Sequence, residues 1–423
     1  MKRRRLVVLT FLVIASVLTA FSASIYIPQY YRGLAYAASD AKASTVDREL
    51  VAANTRFALN IFRELAREDL GKNVFISPLS ISTALSMAYN GAGGSTKDAM
   101  AKILEFGSLD LENVNQGVLD LMGSLENADA SVRLSIGNSV WMDKVFEPKV
   151  FPNFTQRMRT YFDGEVFARS FNNSKTVDEI NGWIKDQTNG KIDKMIEEID
   201  PGWVMFLVNA IYFKGDWVTK FDKSKTRSGD FHLPGGATVQ TDFMYALDKF
   251  SYYSENGLIA VRLPYGRDKI AMYVFMPVGD SSLEPFIENL TQTSLNSYMS
   301  KFTDPRSVVL QLPKFKMEYG VKRLNNALIK MGMGVAFNPF EANFRGVASE
   351  WPLYVAFVDH KAVIEVNEEG TEAAAATNVV IEPVGMPTTI VFDRPFFYVI
   401  RDDRSGSILF MGKMVNPLQT TVP

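Results

Sequence analysis

Hydrophobic and polar residues follow one another along this chain with two distinct periods. Between residues 45 and 69, apolar side chains recur every three or four positions, which predicts an amphipathic helix. Residues 134–142 alternate one by one, which predicts a strand. Residues 206–213 are almost entirely apolar, so we expect a central strand that is covered on both faces.

The same criteria predict further helices and strands in mixed order. Helices are expected over residues 80–90, 149–162, 175–199 and 324–331. Strands are expected over residues 73–80, 259–263, 270–276 and 308–312, with a terminal hairpin formed by 396–400 and 408–411. Ser80 is expected to cap the helix that follows it. Because the elements are interspersed without a regular βαβ cycle, an α+β domain is favoured over a doubly wound one.

One stretch near the C-terminus fits both periods. Its core, Glu-Ala-Ala-Ala-Ala at residues 372–376, favours a helix by local propensity. As a strand, residues 371–381 would place small or apolar side chains on one face, whereas the other face begins at Glu372 and ends in a second carboxylate, Glu382. Residues 382–387, with two prolines and a glycine, are typical of an exposed loop. The stretch is therefore predicted to have two states, an exposed loop and an inserted strand.

Composition excludes several classes of protein. With 423 residues, 47% of them hydrophobic, the chain can bury a large core. A net charge of −2 gives no electrostatic reason to expect a nucleic-acid partner. The absence of cysteine excludes disulfides and thiolate catalysis, and two histidines are too few for an imidazole metal cluster. We therefore expect no metal and no cofactor.

The N-terminus predicts export. Lys2 and three arginines precede an apolar run from Leu6 to Ile27, the form of a secretion signal, and the run is also long enough to span a membrane. Residues 1–37 are thus interpreted as a cleaved signal peptide or an uncleaved membrane anchor, and 38–46 as a linker. Both alternatives place the rest of the chain outside the cytoplasm, with the membrane contacted only through this segment.

Several motifs, in order along the chain, resemble those of the serpin family over residues 47–417. They are Asn-Val-Phe-Ile-Ser-Pro-Leu-Ser-Ile at 73–81, Val-Asn-Ala-Ile-Tyr-Phe-Lys-Gly-Asp-Trp at 208–217, Leu-Pro-Lys-Phe at 312–315, His-Lys-Ala-Val at 360–363, the segment 368–377, Phe-Asp-Arg-Pro-Phe at 392–396 and Phe-Met-Gly-Lys-Met-Val-Asn-Pro at 410–417. The resemblance implies three β-sheets, eight or nine helices and an exposed reactive-centre loop at about 368–392, followed by a tail at 418–423.

The resemblance also implies a mechanism and a partner. A serine protease attacks the loop and becomes an acyl-enzyme, and the cleaved segment 371–383 then inserts as a strand of the large sheet and distorts the protease. The expected partner is thus a serine protease in a covalent complex with a monomeric inhibitor. Insertion releases strain held in the native state, which is protected kinetically.

The bait residue can be placed by two counts. The family places its hinge glycine fourteen residues before the bait, and counting from Gly370 gives Val384. It places the proline of the Phe-Asp-Arg-Pro-Phe motif eleven residues after the bait, and counting back from Pro395 also gives Val384. The predicted reactive bond is Val384–Gly385, and a small β-branched bait favours elastase-like or subtilisin-like targets.

The matched positions define a hinge and two supporting clusters. The hinge comprises Glu368, Glu369, Gly370, Thr371, Glu372, Ala373, Ala374, Ala375 and Ala376. The family places a buried gating cluster at Ser77, Ser80, Asn209 and His360, although each could simply satisfy neighbouring backbone groups. It places the top of the sheet gap at Trp217, Lys314 and Glu368. A nearby group of basic residues, Lys214, Lys220, Lys223, Lys225 and Arg227, is interpreted as a solvated edge.

Two alternatives to an inhibitor make different demands on the sequence. A non-inhibitory serpin, acting as a binding protein or folding aid, would be expected to have proline, charged or bulky residues in the hinge. Residues 371–377 contain no proline and no large side chain, and their only charged residue, Glu372, falls on the outward face. An exported hydrolase would need a catalytic base, and His232 and His360 both lie in strand-like sequence without a Gly-x-Ser-x-Gly motif. An inhibitor that is not an enzyme is therefore the favoured hypothesis.

Overall fold

The computed structural model describes residues 40, 42–126, 128–129, 131–200, 202–302, 304–349, 352–371 and 387–422. The predicted N-terminal export segment, the hinge residues 372–376 and the predicted bond Val384–Gly385 lie outside the described residues. Within those ranges, no helix is both long and apolar enough to cross a bilayer.

Nine α-helical regions occur in the described chain from Arg48 onward. They are α1 (Arg48–Glu68), α2 (Pro78–Tyr89), α3 (Gly94–Ile103), α4 (Leu111–Leu125), α5 (Pro152–Tyr161), α6 (Lys175–Gln187), α7 (Leu283–Glu288), α8 (Gln292–Met299) and α9 (Asn325–Leu328 continuing through Ile329–Met333 to Gly334–Phe337). The last region is interrupted at Gly332, where φ is +116°.

The strands are numbered in chain order. They are β1 (Val74–Ile76), β2 (Val132–Asp143), β3 (Glu165–Arg169), β4 (Met205–Asp216), β5 (Arg227–His232), β6 (Thr238–Glu255), β7 (Leu258–Tyr265), β8 (Ile270–Pro277), β9 (Arg306–Pro313), β10 (Phe315–Arg323), β11 (Asp359–Val366), β12 (Gly370–Thr371), β13 (Thr388–Val391), β14 (Phe396–Asp402), β15 (Ile408–Met414) and β16 (Thr421–Val422). With the helices, they form an α+β domain.

The strands pair into three sheets. The largest has the order β1-β15-β14-β8-β7-β6-β9-β13, with β5 on β6, and it contains the predicted terminal hairpin β14–β15. A four-stranded sheet has the order β12-β4-β2-β3, and a three-stranded sheet has the order β11-β10-β16. Helix α2 packs against both β4 and β15, so it lies in the main core between the largest sheet and the four-stranded one. Helix α6 covers the opposite face of β2 and β4 over a second, smaller core.

Two predicted helix boundaries are wrong. The cap of α2 is Ser77, not Ser80, because Pro78 occupies the first helical position and the Ser77 hydroxyl accepts a hydrogen bond from the Ser80 N–H at 3.2 Å. The helix predicted over 175–199 ends at Gln187. Beyond it, the Asn181 side chain bonds the backbone of Met195 and Ile196, replacing the helical hydrogen bonds while the apolar residues still pack inward.

Both ends of the predicted domain extend further than expected. Ala43 and Val46 fall in the predicted linker but are buried, so packed structure begins before residue 47. In the predicted tail, Thr421 and Val422 pair in parallel with Glu318 and Tyr319 of β10. The tail thereby covers part of an edge of the three-stranded sheet.

Candidate functional site

A gap separates the four-stranded and three-stranded sheets. Strand β12 pairs antiparallel with the end of β4, with Gly370 opposite Asp216 and Thr371 opposite Gly215. A tight turn joins β12 to β11, with hydrogen bonds between Asn367 and Gly370 in both directions. Below this turn, no ladder joins β4 to β11 among the residues that the structure describes. The hinge therefore closes the gap at the C-terminal end of β4, which we call the top. Toward the N-terminal end of β4, the bottom, no described strand lies between β4 and β11.

Gly370 occupies a position that requires glycine. Its φ of +148° lies in a region that other residues rarely adopt, and a Cβ atom there would meet the Gly215 carbonyl oxygen at 2.1 Å. The predicted role of Gly370 as a pivot thus coincides with a close approach of two backbones.

The predicted cluster at the top of the gap is present. Lys314 Nζ lies 3.1 Å from Oε2 of Glu368, and the Thr226 hydroxyl donates a hydrogen bond to Oε1 of the same carboxylate at 2.9 Å. Trp217 donates from its indole to the Asn367 carbonyl at 2.9 Å and stacks on Tyr265 at 4.3 Å. Burial alone would raise the pKa of Glu368, but hydrogen bonds from the backbone, Lys314 and Thr226 hold that pKa below its usual value.

A second ion pair at the hinge was missed in the sequence. Lys223 Nζ bonds the carboxylate of Glu369, whose side chain is 11% exposed. The sequence around Lys223, in which acidic residues are interleaved with basic ones, favours a solvated edge and gives no sign of this pair. Its partner lies 146 residues away, and no local signal in the sequence connects the two.

The predicted gating residues meet below the gap. The Ser77 N–H donates to Nε2 of His360 at 3.1 Å, and the Ser77 hydroxyl donates to the Leu409 carbonyl at 2.7 Å. The Ser80 hydroxyl donates to the side-chain oxygen of Asn209. Asn209 in turn donates to Asn138 at 2.6 Å, a member of this cluster that the sequence did not indicate.

His360 is held neutral. Complete burial lowers its pKa from 6.5 to about 4. Because Nε2 accepts the Ser77 hydrogen bond, that nitrogen carries no proton. The lone pair of this nitrogen is already bonded to the Ser77 N–H and the ring is buried, so His360 is not placed to act as the base of a hydrolase. His232 lies half exposed in β5, 4.0 Å from Asp393.

The lower part of the gap is an apolar cavity of about 300 Å³. It is lined by the first half of β4, by residues 352–358 and by one face of α2, with Trp203, Phe206 and Phe357 among the aromatic side chains. Three residues of β4, Met205, Leu207 and Asn209, are only half buried there. The expectation that this strand is covered on both faces is therefore wrong for its first half.

The geometry agrees with comparisons to known proteins. The sequence profile described as Serpin (serine protease inhibitor) matches residues 52–417. A serpin-like protein of Methanosarcina acetivorans is 33% identical over 395 residues, which cover 88% of this chain and 89% of that protein.

Two solved structures show the same architecture. The thermophilic serpin Tengpin in its native state aligns with a TM-score of 0.79 and 31% identity, over 88% of this chain and 95% of that one. Human thyroxine-binding globulin in complex with thyroxine aligns with a TM-score of 0.79 and 30% identity, over 87% and 98% of the two chains.

Proposed function

The chain belongs to the serpin family, whose members are mainly protease inhibitors rather than enzymes, and on this premise we propose that it is a suicide-substrate inhibitor of serine proteases. The protease serine attacks the carbonyl carbon of Val384, the bond to Gly385 breaks, and an ester joins Val384 to the protease. Residues 371–383 then insert between β4 and β11 and carry the attached protease with them.

The observation that supports this proposal most strongly is the unfinished ladder on β4. Gly370 and Thr371 are already paired at its end, and the strand edge below them has no partner among the described residues. Continuing the same antiparallel register would place Glu372 opposite Lys214 and Thr377 opposite Asn209. Opposite charges directly across a strand pair are favourable, so the register agrees with the charge pattern.

The cavity fits the rest of the inserted segment. In the continued register, Val379 and Ile381 lie opposite Leu207 and Met205, which line the cavity. Burying a Val or Ile side chain stabilises by roughly 1.5–3 kcal/mol, and the new strand gains main-chain hydrogen bonds on both edges. Insertion would thus place apolar side chains against the apolar lining of this cavity.

The proposed bait predicts which proteases are trapped. Val384 is small and β-branched, so elastase-like or subtilisin-like enzymes with shallow apolar pockets are the proposed targets. Substitution Val384→Arg should move inhibition toward trypsin by at least tenfold in association rate. Unchanged inhibition of elastase by this variant would show that the bait lies elsewhere.

The test of the function is a covalent complex. Incubation with pancreatic elastase or subtilisin should give an SDS-stable species of the summed mass, and mass spectrometry should find a new N-terminus at Gly385. Cleavage at this bond without a stable complex would instead favour the alternative, a non-inhibitory serpin that acts as a binding protein or folding aid. The likeness to a structure with bound thyroxine shows that this fold also serves binding.

We also propose that the protein is exported and acts outside the cytoplasm. The support is the basic and apolar sequence of the first 27 residues. N-terminal sequencing of the mature protein distinguishes a cleaved signal from a retained anchor.

A further inference from the structure

The short 3₁₀ turn Lys223–Lys225 follows β4 and lies beside the hinge. Lys223 is exposed, yet its ammonium group bonds the nearly buried carboxylate of Glu369. The hydrogen bond to Glu369 raises the pKa of Lys223 above its usual value. The contact thus keeps Lys223 charged beside Glu369, the residue that precedes Gly370.

The backbone of the hinge is fixed at the same place. The Glu369 carbonyl accepts a hydrogen bond from the Trp217 N–H at 2.9 Å, and the Glu368 carbonyl accepts one from the Phe221 N–H at 2.8 Å. The Glu369 N–H donates to the Asn367 side chain at 3.1 Å. Residues 367–369 are therefore held before the pairing of Gly370 and Thr371 with β4 begins.

The two neighbouring carboxylates are held from different parts of the fold. Glu368 is bonded by Lys314, which lies between β9 and β10, and Glu369 by Lys223, which follows β4. The hinge is consequently attached to both sides of the gap. Loss of the Lys223 contact would leave Glu369 with a buried carboxylate and without its cation.

We propose that Lys223 is a positioning residue for loop insertion, which holds Glu369 so that Gly370 and Thr371 stay in register on β4. This rests on the proposed inhibitory function. Insertion competes with hydrolysis of the acyl-enzyme, so a hinge already in register lets the strand grow before the ester is lost. The bait residue Val384 is fifteen residues from Glu369, so the initial attack should be unaffected.

The test compares Lys223→Met with the rescue variant Lys223→Arg and the control Lys225→Met. Lys225 lies on the same turn but pairs with Asp222 at 3.4 Å and lies over the Tyr245 ring. For Lys223→Met, we expect the ratio of trapped to released elastase to fall by at least roughly twofold to fivefold, since even an exposed ion pair contributes that much and Glu369 is nearly buried. The rate of bait cleavage should stay constant, and Lys223→Arg and Lys225→Met should resemble the wild type.

A second measurement does not depend on inhibition. Hydrogen exchange of a peptide covering residues 367–371 in the uncleaved protein should be roughly twofold to fivefold faster in Lys223→Met, and this difference should shrink at high ionic strength. Unchanged exchange, or an equal effect in Lys225→Met, would overturn the role of Lys223. Faster exchange in a protein that traps no protease would support this role in holding the hinge while overturning the proposed inhibition.

Discussion

The two ends of the gap are built differently. At the top, the hinge is attached through the exposed cations Lys314 and Lys223 and through backbone hydrogen bonds to Trp217 and Phe221, which follow β4. At the bottom, a cluster of neutral, hydrogen-bonded side chains around the buried His360 helps to line an apolar cavity of about 300 Å³. The top therefore fixes register and position, whereas the bottom offers unfilled apolar space.

A loop-inserting inhibitor needs a defined starting point for insertion and a driving force for it, and the two ends of the gap supply these separately. Exposed ion pairs contribute little free energy each, so the top can influence where insertion starts without making it favourable. Burial of apolar side chains contributes much more, so the bottom supplies the driving force. Each of the following predictions perturbs one end and leaves the other unchanged.

The largest effect should come from a charge on the inward face of the loop. In the continued register, Ala373 lies opposite Phe213, which is buried in the main core, whereas Glu372 lies opposite half-exposed Lys214. Ala373→Arg should raise the stoichiometry of elastase inhibition at least tenfold, because insertion would bury an unpaired guanidinium. Glu372→Arg places the same side chain on the other face and should change the stoichiometry of inhibition far less. Equal effects of the two variants would contradict the proposed register.

The next effect should come from the pivot. Gly370→Ala places a Cβ against the Gly215 carbonyl oxygen and retains a strained φ. We therefore expect the free energy of unfolding, measured with urea, to fall by about 4 kcal/mol. Gly236→Ala is the matched control, because φ is +90° there and no atom lies within 4 Å of the added Cβ. Gly236→Ala should lower the free energy of unfolding by only about 1 kcal/mol. A similar loss in both variants would show that the contact with β4 is unimportant.

A smaller effect should appear with pH at the bottom of the gap. Folding lowers the pKa of His360 from 6.5 to about 4, so between these values the unfolded chain binds more protons than the folded one. The free energy of unfolding should thus fall as pH decreases from about 6.5 to about 4, by about 3 kcal/mol at most.

The two histidines provide the control for this pH dependence. His360→Gln should remove that part of the pH dependence, since glutamine does not titrate and can still accept the Ser77 hydrogen bond. His232→Gln, at the half-exposed position in β5, should leave it intact. Urea unfolding of the three proteins between pH 4 and pH 7 is the measurement, and equal slopes for wild type and His360→Gln would exclude His360 as the cause.

Much of the fold could be predicted from local patterns, and the misses have physical causes. Apolar periodicity located α1 because that helix buries one continuous face. Alternation located β2, although residues 137–142 of this strand are buried on both faces. The helix predicted over 175–199 was too long because Ile192 and Met195 keep an apolar spacing although Asn181 holds their backbone outside a helix. The half-buried start of β4 could not be foreseen, since it depends on a strand edge that has no partner among the described strands.

Family motifs led to residues that the structure places together in the candidate site. An ion pair that is specific to this chain was missed. Ser77, Ser80, Asn209 and His360 come together as the resemblance implied, although their gating role stays a prediction. The pair between Lys223 and Glu369 was missed, because partners far apart in sequence leave no local pattern. Tertiary proximity alone reveals it.

The central claim is that the cleaved loop fills the gap between β4 and β11, and hydrogen exchange tests it most directly. Amide exchange in Met205–Asp216 and Asp359–Val366 should be compared before and after the loop is cut at Val384–Gly385. We predict at least tenfold slower exchange along both strands after cleavage, together with new protection of residues 372–382. Unchanged exchange in a fully cleaved protein would contradict insertion and, with it, the proposed mechanism of inhibition.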